Sequence, residues 1–167
     1  EMQTTVSGLS EGILWDFKQE QVAQDLMDHY GFSSSLIADV VPTFGLQAAV
    51  SAASAQEVGL PQGIPVAYRS GDQPNNAFSL NVLQPGEVAA TAGTSGVIYG
   101  VNDRLAFDAQ SRVNSFAHVN HTAQEKRLGV LLCINGTGIL NSWMRRNMAG
   151  MGYEQMNITA GQAPAGA

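Results

Sequence analysis

Hydrophobic residues recur at helical spacing over residues 19–30, where Val22, Ala23, Leu26, Met27 and Tyr30 share one face and Gly31 supplies a stop; this predicts an amphipathic surface helix. A serine cluster at Ser33, Ser34 and Ser35 follows, then a short apolar turn over 36–41 broken by Pro42. Ser51 as N-cap, Gly59 as stop and Pro61 behind it predict a second short helix. The pattern then changes. Ile64, Pro65, Val66, Ala67 and Tyr68 read as a buried strand running into Ser70, Gly71 and Asp72, with a helix expected over 75–83, so that Asp72 stands at the C-terminal end of a strand. Beyond Pro85 and Gly86 a hairpin is expected, with strands over 88–92 and 97–101 joined by Gly93, Thr94, Ser95 and Gly96. Further strands over 115–119 and 128–134, and a helix from 136 or 137 to 148, complete a mixed α/β pattern.

Composition narrows the function classes. The 167 residues, 44% of them hydrophobic, suffice for one domain or two small lobes. A net charge of -6 with only eight Lys plus Arg, and no basic run, gives no footprint for a nucleic-acid backbone or an anionic membrane. No apolar run approaches the ~20 residues of a bilayer span, so a soluble, cytoplasmic protein is expected. Cys133 is the single cysteine; its apolar neighbours Val130, Leu131 and Leu132 suggest a packed thiol. The sequons at Asn120, Asn135 and Asn157 are read as chance. A first residue other than Met and an Ala- and Gly-rich stretch over 159–167 suggest truncation at both ends.

Few residues invite chemistry. Asp72, at a strand end, has the placement of a general base, but Gly-Asp is also a common turn pair whose carboxylate bonds its own backbone. The turn Gly93-Thr94-Ser95-Gly96 lets backbone N–H groups approach a phosphate, although no Lys follows to make a P-loop and such turns are common in hairpins. A second glycine turn, Ile134-Asn135-Gly136-Thr137-Gly138, either offers helix N–H groups to an anion or simply starts a helix. His118 and His121, with Asp108 and Cys133 as conceivable companions, lack the paired spacing of a metal site, so no metal ligand is assigned. The order around Ser95 does not match a serine-hydrolase elbow.

Taken together, Gly63-Ile64-Pro65-Val66-Ala67, Gly71-Asp72-Gln73, Pro85-Gly86-Glu87-Val88 and Gly93-Thr94-Ser95-Gly96 resemble the central segment of the FGGY carbohydrate kinases. Ala117-His118-Val119 and the unit ending at Trp143 are most similar to the bacterial xylulokinase branch. The resemblance implies part of a two-domain, actin-like and ribonuclease-H-like ATPase fold spanning the domain junction: 1–84 from the sugar-side domain, 85–167 from the nucleotide-side domain. It implies that Asp72 deprotonates the acceptor hydroxyl and, with Gln73, meets the sugar, while Gly93, Thr94, Ser95 and Gly136 lie at the nucleotide. It also implies ATP and Mg²⁺ as cofactors and D-xylulose as acceptor, with L-ribulose or glycerol as the nearest rivals. The family's first phosphate loop, its late adenosine-packing glycine pair and much of its sugar-holding region are not in this sequence, so these residues alone are expected to be inactive. A non-catalytic sugar- or nucleotide-binding fragment that self-associates through an exposed half-interface is the competing expectation.

Overall fold

The computed structural model describes residues 2–148 and 150–166. In chain order its elements are β1 (Gln3–Thr4), α1 (Val6–Glu11), β2 (Trp15–Asp16), β3 (Gln21–Val22), α2 (Gln24–Tyr30), a 3-10 turn (Ser34–Leu36), β4 (Asp39–Val40), β5 (Phe44–Ala49), α3 (Ala52–Val58), β6 (Pro65–Tyr68) and α4 (Asp72–Ser79). These are followed by β7 (Val88–Ala92), β8 (Gly96–Asn102), β9 (Asn114–Ala117), β10 (Leu128–Ile134), α5 (Thr137–Asn147) and α6 (Tyr153–Ala160). The largest sheet has the order β7-β8-β10-β9; the pairs β1-β4, β2-β3 and β5-β6 stand apart from it. The chain divides into two compact units, one taking it to Ala89 and again Tyr99–Leu131, the other taking Ala90–Ile98 and the chain from Leu132.

Where strong local signals exist, the elements follow them. Ser51 caps α3 by accepting the Ser54 N–H at 3.2 Å, and Gly59 ends it at φ 70°. Gly31 ends α2 at the same φ of 70°, a conformation that costs a residue without Cβ nothing. The hairpin, the strand Leu128–Ile134 and the helix Thr137–Asn147 also stand as expected.

Four expectations need correction. The strand expected to be buried over 64–68 spans Pro65–Tyr68 and is not buried: Pro65 and Ala67 are exposed and Val66 and Tyr68 half-buried, because it pairs only with β5 in a two-stranded sheet. The helix expected over 19–30 begins only at Gln24, because the Asp16 carboxylate accepts the Lys18 and Gln19 N–H groups at 2.7 and 3.2 Å and turns the chain back. Residues 21–22 then pair with β2, Trp15 opposite Val22. The helix expected over 75–83 starts three residues earlier, so Asp72 is its first residue and not a strand residue. Cys133 is exposed, not packed; its thiol lies 3.3 Å from Asn135 Oδ1. The apolar run 130–134 is a strand, whose period of two and whose end leave it only partly covered. An element outside the sequence reading is β5, antiparallel to β6, with a register slip between Phe44 and Ala48 where Gly45 takes φ 143°.

The core lies in the first unit, where Leu9, Met27, Ala77, Tyr99, Val101, Ala117, Val119 and Leu128 are buried. Gly129 is needed there, since a Cβ would fall 1.8 Å from the Tyr99 ring. In the second unit, α5 and α6 bury no residue, and Leu140 and Trp143 keep 56% and 52% of their surface exposed.

Candidate functional site

The turn that carries Asp72 is held from below by α1. Thr5 caps that helix, its Oγ1 accepting the Gly8 N–H at 3.2 Å, and α1 presents the polar residues Ser7, Ser10 and Glu11. Ser7 is fully buried; its Oγ lies 3.0 Å from Ser70 Oγ and accepts the Gly71 N–H at 3.1 Å. Ser10 Oγ accepts the Ala117 N–H at 2.8 Å, which ties the same helix to β9.

Glu11 closes the arrangement. The N-cap of α4 is Gly71, which has no side chain to satisfy the helix's first N–H groups. Glu11 does so across the fold: Oε2 accepts the Asp72 N–H at 3.1 Å and Oε1 accepts the Gln73 N–H at 3.2 Å. Pro74 follows with no N–H to satisfy, and the Asn75 N–H reaches Gly71 O at 3.1 Å. Every donor of the first turn is thereby engaged. Gly71 is required for this approach, because a Cβ there would stand 2.2 Å from Glu11 Cδ. Burial pushes the Glu11 carboxyl above the usual carboxylate range; the Gln73 and Asp72 N–H groups pull it back, and the charge of Asp72 adds to the rise.

Asp72 itself is exposed at the start of α4, with Gln73 half-buried beside it. An exposed carboxylate at a helix start is accessible to the hydroxyl of a bound ligand. Glu11 also lines a cleft of about 410 Å³ shared with Trp15, Phe17, Phe107, Asp108 and Asn114.

The histidines serve the fold. His118 is 1% exposed; Nε2–H donates to Val82 O at 2.9 Å, which leaves Nδ1 to accept the Tyr99 hydroxyl at 3.0 Å. His121 Nδ1 accepts the Arg127 N–H at 3.2 Å, and Nε2 faces Glu20 Oε2 at 3.3 Å. Among the described residues no group of three His, Cys, Asp or Glu side chains could hold a metal. Burial lowers the His118 pKa below 6.5, outweighing the Val82 hydrogen bond and the Glu87 charge. The unfolded chain therefore binds a proton that the folded one refuses, and this contribution to stability, complete above pH 6.5, is lost as pH falls below it. Thermal denaturation should show a falling midpoint between about pH 7.5 and about pH 5.5, with a smaller fall in His118→Gln.

In the second unit the two glycine turns come together. Gly138 N–H donates to Gly93 O at 3.1 Å and Ile139 N–H to Thr94 O at 3.2 Å, while Leu140 N–H closes on Gly136 O at 3.1 Å. Gly136 stands at φ 112°, a conformation that favours glycine. The start of α5 is thus locked onto the turn, so the N–H groups of Gly138 and Ile139 are spent on carbonyls and not offered to an anion. Gly93 and Thr94 remain exposed and Ser95 half-buried. Asp72 and Gln73 belong to the first unit, and Gly93, Thr94, Ser95 and Gly136 to the second.

No protein-family model matches the chain. Two curated relatives do: a gluconokinase of Bacillus subtilis (strain 168), 25% identical over 139 residues, which are 83% of this chain and 25% of that protein; and an autoinducer-2 kinase of Yersinia enterocolitica, 36% identical over 70 residues, 42% of this chain and 13% of that protein. A gluconate kinase from Lactobacillus acidophilus superposes on 99% of this chain with a TM-score of 0.86 and 17% identity, and a xylulose kinase from Rhodospirillum rubrum on 99% with a TM-score of 0.80 and 25% identity. The chain carries part of the sugar-kinase fold. It spans 33% and 34% of those two structures and 25% of the gluconokinase.

The fold of the FGGY sugar kinases, actin-like and ribonuclease-H-like, is thus the frame in which Asp72 and the two glycine turns sit. Glu11 is the residue that sequence reasoning missed. Capping rules look within three residues of a helix start, whereas Glu11 lies 61 residues before the N–H it accepts.

Proposed function

We propose that this chain is the central part of an ATP-dependent sugar kinase that converts D-xylulose to D-xylulose 5-phosphate. The reading rests chiefly on one observation: an exposed carboxylate, Asp72, on a helix start whose donors are all engaged. The resemblance over residues 63–143 and the likeness to sugar kinases of known structure support it. Asp72 takes the proton of the acceptor hydroxyl, that oxygen bonds to the γ-phosphorus of ATP, and the bond to the ADP oxygen breaks. The carboxylate accepts the proton late, as the oxygen gains its bond to phosphorus. Gln73 stands beside Asp72 to meet the sugar, Gly93, Thr94 and Ser95 form the turn assigned to the phosphates, and Gly136, on the second turn, is assigned to the nucleotide. No side chain of this chain is assigned to Mg²⁺, which would be held by the phosphates of ATP and would supply charge neutralisation there.

The deciding experiment is ADP release by the intact kinase with a panel of D-xylulose, L-ribulose, D-gluconate and glycerol. D-xylulose is expected to give the highest kcat/KM, and a higher value with another acceptor reassigns the substrate. The uncovered Leu140 and Trp143 favour a second reading for the 167 residues taken alone, that of a self-associating binding fragment. That reading predicts no ADP release from them with any sugar.

A further inference from the structure

We infer that Glu11 is a positioning residue for Asp72, an inference that rests on Asp72 being the base of the kinase proposed above. The contacts are specific to a carboxylate. Two N–H groups of successive residues, Asp72 and Gln73, converge on the two oxygens of one side chain at 3.1 and 3.2 Å, which an anion accepts and a neutral amide accepts only in part. Helix α4 has no cap of its own at Gly71, and α1 supplies the cap from the other side of the sequence. Gly71 lacks the Cβ that would strike Glu11 Cδ at 2.2 Å. Ser7 fastens the preceding residue through the Gly71 N–H at 3.1 Å. Three consecutive N–H groups, those of Gly71, Asp72 and Gln73, are therefore set by side chains of α1, and the Cα of Asp72 cannot drift without breaking one of them.

Such a residue does not touch the sugar. It acts by keeping the Asp72 carboxylate where an acceptor hydroxyl meets it, and general-base transfer is steep in that geometry. Gly71 and Glu11 should behave as a unit.

The test is steady-state kinetics of the intact kinase with Glu11→Ala and the isosteric Glu11→Gln, read together with amide hydrogen exchange at Asp72 and Gln73. Glu11→Ala is expected to lower kcat about 10²-fold with the KM of both substrates within about twofold. Glu11→Gln, which keeps one acceptor, recovers part of that loss and folds even if the alanine variant does not. Gly71→Ala should mimic Glu11→Ala, and the double variant should be no worse than the more impaired single one, because removing Glu11 makes room for the new Cβ. A kcat for Glu11→Gln and Glu11→Ala within twofold of wild type, or a loss expressed only in KM, overturns the inference. Should the wild type release no ADP with any sugar, the kinase reading falls. Exchange then decides the contact itself: acceleration of both amides by about tenfold in Glu11→Gln upholds it, and unchanged exchange removes it.

Discussion

On the proposed kinase reading, Asp72→Asn in the intact protein is expected to lower kcat by about 10³-fold, with the KM for sugar and ATP within about threefold and the thermal midpoint unchanged. Asparagine keeps the shape of the side chain and loses the negative charge and with it the ability to take a proton. The backbone N–H of residue 72 stays on Glu11 Oε2, Gly71 keeps its place against Ser7, and an exposed side chain has no packing to lose. General-base assistance is worth about 10²- to 10⁴-fold, so an effect of this size is what a true base would show. A variant with wild-type turnover would leave Asp72 as a first-turn helix residue and nothing more. The negative charge also leaves the neighbourhood of Glu11, so the Glu11 carboxyl should become easier to ionise in the variant.

Gly138→Ala has a large expected structural effect. Its Cβ would stand 2.2 Å from Gly93 O and 3.0 Å from Gly93 C, both backbone atoms that no rotamer change can move aside. Either α5 withdraws, breaking the Gly138 and Ile139 hydrogen bonds to Gly93 O and Thr94 O, or the turn itself moves. The cost is about 3 kcal/mol by overpacking, read as a lower denaturant midpoint of the second unit. Displacement of Thr94 and Ser95 should raise the KM for ATP by at least tenfold, about 1.4 kcal/mol. Gly96→Ala provides the contrast. There the new atom meets Thr137 Cγ2 at 2.8 Å, the tip of a side chain able to rotate, so its effect should be smaller. If Gly138→Ala leaves both midpoint and KM unchanged, the turn and the helix start are not coupled as described.

What was legible in the sequence was local. Gly31 and Gly59 stop their helices because a residue without Cβ takes the left-handed conformation at no cost. Ser51 caps α3 with an oxygen three residues from the N–H it binds, and Gly93 to Gly96 turn a hairpin between two apolar strands. In each case signal and consequence lie within a few residues. The aspartate was found the same way, by its neighbours Gly71 and Gln73, and its distance from the next glycine turn carried the resemblance.

The misses share a different cause. Residues 19–23 have a helical face, yet the Asp16 side chain and the pairing of Gln21 and Val22 with β2 claim them first. Cys133 sits in an apolar run, but burial of a strand residue depends on what covers its face, and nothing in a neighbouring dipeptide reports that. Helix α4 starts at Asp72 because its unsatisfied donors are met by an acceptor from a distant helix, so Asp72 is a helix-start carboxylate where its neighbours described a strand end. Local propensity singles out the aspartate. Its placement comes from Ser7 and Glu11, more than sixty residues earlier in the chain, since a hydrogen bond acts over about 3 Å of space whatever the separation in sequence.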